Sequence, residues 1–160
     1  IVPLKVEYWD APDSRVVLNQ VLEIPAGRAT ARVQGGRPVL FGAVQEQEPH
    51  CVLQINTVLE TAQRVQPDRF DIVSVEREVS DLFAGVNWLF FIPEAHAGTG
   101  YRPTQLFYKT IFRLKSESQP GVLRMTCQVD RYAAGASLAQ HMSLGEIRHA
   151  LGTLFTLEIP

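Results

Sequence analysis

Two segments set the strongest limit on the fold: Glu48 to Ile55 and Leu123 to Val129. Each alternates with the two-residue period of a strand, so Cys51, Leu53 and Ile55 share one face, as do Leu123, Met125, Cys127 and Val129. The chain has two cysteines, and both fall on these apolar faces. A disulfide Cys51–Cys127 is the expectation, tying adjacent strands or facing sheets together. The alternative is two buried, unconnected thiols that pack as small hydrophobes. The bridge would close a loop of about 76 residues, contribute at most about 4 kcal/mol by the chain-entropy model, and point to an oxidising compartment. With no C-x-x-C spacing, a metal site built on these cysteines is not expected.

The rest of the chain continues the extended pattern. Leu4 to Trp9 alternates and ends at the turn Ala11-Pro12-Asp13-Ser14, and Val16 to Ile24 is stopped by Pro25. Arg28 to Gln34 and Val39 to Gln45 flank Gly35-Gly36, a pair that accepts the positive φ of a hairpin turn. Phe70 to Val79 places Val73, Val75 and Val79 on one side and Ser74, Glu76 and Glu78 on the other. Gln105 to Lys115 turns Leu106, Tyr108, Phe112 and Leu114 inward, and Pro120-Gly121 makes a hairpin with the Cys127 strand plausible. Asp130 to Gln140 reads as a loop. Ser143-Leu144-Gly145-Glu146 is a capping box opening one short helix with Ile147, Ala150 and Leu151 on its apolar side; Thr153 to Ile159 is a last strand. The expected fold is mainly β: a single domain over residues 1–160, an antiparallel barrel or sandwich of roughly eight to ten strands with one C-terminal helix.

The order Ile24-Pro25-Ala26-Gly27, Gln34-Gly35-Gly36, Glu48-Pro49-His50-Cys51 and Gln66-Pro67-Asp68-Arg69-Phe70 resembles uncharacterised proteobacterial envelope proteins, many of them predicted lipoproteins. The resemblance covers residues 15–130. It implies a periplasmic or outer-membrane-associated address and no particular activity. The start at Ile1 rather than methionine suggests a mature or trimmed form.

Composition excludes several classes. A net charge of -2 over 160 residues supplies no basic field for nucleic acid or a strongly anionic membrane surface. No apolar run reaches the about 18 residues of a membrane span.

Candidate chemistry is sparse. His50, His96, His141 and His149 show no H-x-x-x-H or H-E-x-x-H spacing, so neither a metal nor another cofactor is expected. Gly98-Thr99-Gly100 lacks the lysine of a phosphate loop, and Gly135-Ala136-Ser137-Leu138-Ala139 lacks the second glycine of a nucleophile elbow. No catalytic residue is assigned. The stretch from Ser80 to Thr104 breaks the strand cadence and carries Phe83, Trp88, Phe90, Phe91 and Tyr101. Either it offers aromatic area to a protein partner or an apolar ligand, or it folds back over a sheet edge or barrel end. The expected function is a non-enzymatic envelope protein that binds through this segment. The alternative is a small hydrolase using Glu94, His96, His141 and His149.

Overall fold

The computed structural model describes residues 2–81, 105–132 and 140–160. Its strands are β1 (Val2–Asp10), β2 (Arg15–Leu18), β3 (Leu22–Ile24), β4 (Thr30–Gln34), β5 (Arg37–Val39), β6 (His50–Ile55), β7 (Gln63–Val65), β8 (Asp68–Asp81), β9 (Gln105–Lys115), β10 (Val122–Tyr132) and β11 (Phe155–Glu158). Among the described residues one helix, α1 (Leu144–Leu151), precedes β11. The main sheet runs β11-β2-β8-β9-β10-β6-β4-β5, all antiparallel, and curls into a half-barrel. β3 and β7 form a separate small sheet whose Leu22, Ile24 and Val65 join the same core.

Register explains which face is buried. Val75, Phe112, Met125, Leu53 and Ala31 lie in one row across β8, β9, β10, β6 and β4, and all are buried. The next inward row holds Thr110, Cys127, Cys51 and Val33. Cys51 and Cys127 are direct cross-strand partners joined by a disulfide, with Cα atoms 4.0 Å apart. The strand alternation read from the sequence places both thiols on the inward face, and of adjacent strands or facing sheets the structure has adjacent strands.

Two strands depart from simple alternation. A bulge in β8 between Ile72 and Ser74 shifts the phase, so Ile72 and Val75 are buried while Val73 is 52% exposed. An irregularity in β10 between Val122 and Arg124 buries Val122 in place of Leu123. Val16 to Ile24 is two strands rather than one: β2 lies between β11 and β8 in the main sheet, whereas β3 pairs with β7. After Val39 the chain turns through a short 3-10 segment, Phe41–Ala43, instead of extending to Gln45. β7 is a strand without an alternating signal in the sequence, and β10 runs on to Tyr132, into the stretch whose composition is that of a loop.

Helix α1 spans the open side of the half-barrel. The Ser143 hydroxyl accepts from the Glu146 amide and the Glu146 carboxylate from the Ser143 amide, each at 3.1 Å, completing the capping box. Ile147, Ala150 and Leu151 enter the core. Arg131 on β10 reaches Glu146, and Arg148 donates to the Leu157 carbonyl on β11 at 3.1 Å. At the other end of the sheet, the Gly36 amide donates to the Ala150 carbonyl at 2.9 Å. The helix thus bridges the sheet's two edges. Among the described residues no helix is long and apolar enough to cross a membrane.

The helix C-terminus meets the β4–β5 turn without room for a side chain. Gly152 has φ 58°, and a Cβ there would lie 2.4 Å from the Gly36 Cα. Gly152→Ala should therefore destabilise the fold by more than about 1 kcal/mol in urea unfolding, through backbone strain and this clash together. An unchanged midpoint would show that the helix does not clamp the β4–β5 edge.

Candidate functional site

The helix is shorter than the face it covers. Eight residues of α1 extend about 12 Å, whereas the eleven residues of β9 or β10 extend about 36 Å. Part of the concave surface near β1, β8 and β9 is left uncovered by the helix, and there a cleft of about 500 Å³ opens. Its floor is Ile72, Val75, Phe112, Met142 and Ile147, all buried. The rim is also apolar: Trp9, Leu144 and Ile159 are 40%, 41% and 38% exposed.

The local chain path explains the opening. β1 and β2 both pair with β8 on the same edge, β1 with Ser74–Asp81 and β2 with Asp68–Asp71. Between them the chain turns at Pro12-Asp13, with Asp13 at φ 59°, and the Ile72 amide, bonded to the Ser14 carbonyl at 2.9 Å, ties the gap to β8. The β8 bulge sits at the same level. Ala11, Pro12 and Ser14 consequently line the cleft instead of continuing a ladder.

Polar groups are few. Arg77 lies at the edge, its Nε 3.9 Å from a Glu7 carboxylate oxygen and its guanidinium carbon 5.8 Å from the centroid of the Trp9 ring. Thr110 and Ser14 supply hydroxyls. An apolar cleft of this size with a small number of polar groups has the make-up of a small-molecule site. It was not legible as a motif, since its walls come from β1, β8, β9, α1 and the residues after β11.

The expected binding residues Phe83, Trp88, Phe90, Phe91 and Tyr101 lie outside the described residues, as do Glu94, His96, Gly98-Thr99-Gly100 and Gly135 to Ala139. The described histidines occupy separate surroundings. His141 meets the Tyr108 ring edge-on, centroids 5.3 Å apart, whereas His149 lines a surface groove with Gln34 and Glu48. His50 is buried at the start of β6 and its Nδ1 donates to the Glu48 carbonyl at 3.2 Å. Burial holds its pKa below the ordinary value, against the opposing pull of the Glu48 carbonyl and the Glu46 carboxylate. Among the described residues no three of His, Cys, Asp and Glu gather as metal ligands would.

The strongest carboxylate shift also belongs to structure. Asp68 accepts from the Ser116 and Ser118 hydroxyls at 2.5 and 2.6 Å, from Gln119 at 3.2 Å and from the Arg69 amide at 2.7 Å. Partial burial disfavours its charge, but these bonds outweigh that effect and hold its pKa at about 2. It pins the β9–β10 turn to the start of β8.

No family model, curated protein or solved structure matches the chain.

Because the folded pKa of Asp68 lies below the ordinary 3.8, its contribution is present above that value and is lost as pH falls through about 2. Asp68→Asn should lower Tm at neutral pH, with the gap to the parent closing across that acid range. A gap unchanged at low pH would show that the clamp does not depend on the carboxylate's charge.

Proposed function

We propose that the protein is a non-enzymatic binding protein of the bacterial envelope that holds an apolar ligand in the cleft between β1, β8, β9 and α1. The observation that carries this reading is the combination of a buried apolar floor with an exposed apolar rim at Trp9, Leu144 and Ile159. An exposed apolar surface leading into a concavity is unfavourable in water unless something covers it.

The disulfide fits an oxidising, extracytoplasmic location. A periplasmic or outer-membrane-associated address rests on that bridge and on the resemblance to envelope proteins. The aromatic segment is the second part of this reading: it connects β8 and β9, and its apolar area would be offered to the same ligand. Trp88, Phe90 and Phe91 are the residues of that segment with the largest apolar area to offer.

The test uses N-phenyl-1-naphthylamine, a neutral apolar dye that brightens on leaving water. The parent protein should enhance its fluorescence saturably. Leu144→Glu combined with Ile159→Glu, at two rim positions, should remove the enhancement while leaving the circular dichroism spectrum intact. Full enhancement in that variant would remove the cleft as the site. Trp88→Ala with Phe91→Ala should weaken the dye without unfolding the protein, and no effect would remove the segment from the reading.

A further inference from the structure

The outer face of the same sheet carries a second feature, opposite to the cleft and independent of it. Phe112 and Val75 point inward, so their neighbours Arg113 and Ser74 point outward. Register places Ser74, Arg113 and Arg124 in one outward row across β8, β9 and β10. Arg113 and Arg124 are therefore direct cross-strand partners of like charge, an arrangement that by itself destabilises a sheet. Neither has an acidic partner within ion-pair distance among the described residues.

Two buried donors in this row also lack hydrogen-bond partners, the Arg124 Nε and the Ser74 hydroxyl, the latter on a residue only 1% exposed. Buried donors left unpaired are uncommon in folded proteins, and the Arg124 Nε, beside a surface groove, is one that an anion held there would satisfy. Lys115 adds a third positive charge two residues along β9. Its register partner Asp71 does not neutralise it, because that carboxylate accepts instead from the Arg15 Nε at 3.3 Å. Arg113, Lys115 and Arg124 border this groove of about 500 Å³ with apolar sides at Val73, Pro120 and Leu123, and Ser74 lies in the same row beneath it. Glu117 stands on its wall, and the nearby Asp68 carboxylate is taken up by its hydroxyl and amide donors.

We infer that this outer groove is a binding site for a phosphate group, held by Arg113 and Arg124 with Lys115 at its side. A phosphate presents more acceptor oxygens than a carboxylate, and the guanidinium fork matches it in bidentate fashion. The apolar walls accommodate the substituent on an ester. The net charge of -2 supplies no long-range attraction, so recognition rests on these local donors. A lipid headgroup and a soluble ester present the same phosphate chemistry to the arginines.

Inorganic phosphate is the first probe, with thermal unfolding as readout and sodium chloride at matched ionic strength as control. The expected result is a saturable rise in Tm of several degrees that chloride does not reproduce. Arg113→Gln with Arg124→Gln should abolish the rise. Without phosphate this variant should be no less stable than the parent, because the like-charge pair is gone. No rise, an equal rise with chloride, or a rise retained in the variant would overturn the site. A second probe, vesicles of phosphatidylcholine with or without phosphatidylglycerol, separates the sources. Given the phosphate response, arginine-dependent sedimentation with the anionic but not the neutral vesicles assigns a headgroup, whereas no such sedimentation assigns a soluble ester.

Discussion

Covering the concave face of the half-barrel is the constraint on which the rest of the structure depends. The inward rows of β8, β9, β10, β6 and β4 are almost wholly apolar, and a curled sheet of this kind cannot leave them in water. Helix α1 supplies the cover, although eight residues would not stay helical alone. It persists because it is fixed at each end: by the capping box and Arg131 at its start, and by the Gly36 and Arg148 contacts at its finish. The disulfide joins β6 to β10 beneath it, so the centre of the sheet is tied covalently where the helix packs.

The cleft follows from this arrangement rather than from any added device. A helix long enough to bridge the two sheet edges is too short to run the length of the central strands. The gap appears where β1 gives way to β2 and β8 bulges to follow them. Packing and site are therefore linked, since the same Phe112, Val75 and Ile147 that anchor the core form the cleft floor. The outer groove has a different origin. It arises because outward positions of the same strands are free to hold charge, and Arg113 faces Arg124 with no acid between them among the described residues.

Local signals in the sequence were faithful where local chemistry decides structure. The capping box at Ser143 and Glu146, the Gly35-Gly36 turn and the cysteine phases all describe contacts the chain makes with near neighbours or along one strand. They fail where one extra residue changes the phase, because alternation has no memory across a bulge. Val73 and Leu123 were placed inward by period, and the bulge and the irregularity beside them put Ile72 and Val122 there instead. The separation of β2 from β3 is set by their partners, β11 and β8 for the one and β7 for the other, which no window of sequence contains. The cleft was invisible for the same reason: Trp9, Ile72, Phe112, Ile147 and Ile159 meet only once the sheet has curled.

The most direct test of the central claim is fluorescence quenching of Trp9 by a brominated alkyl chain. The chain has two tryptophans, and a Trp88→Phe background leaves Trp9, on the cleft rim, as the sole emitter. A brominated dodecyl maltoside, kept below its micelle concentration, carries a heavy-atom quencher on the apolar chain that the cleft would hold. The account predicts saturable quenching that an unbrominated dodecyl maltoside reverses by competition. Quenching that rises linearly with concentration and resists competition would mean only random collisions with an exposed ring, and would contradict a ligand-holding cleft.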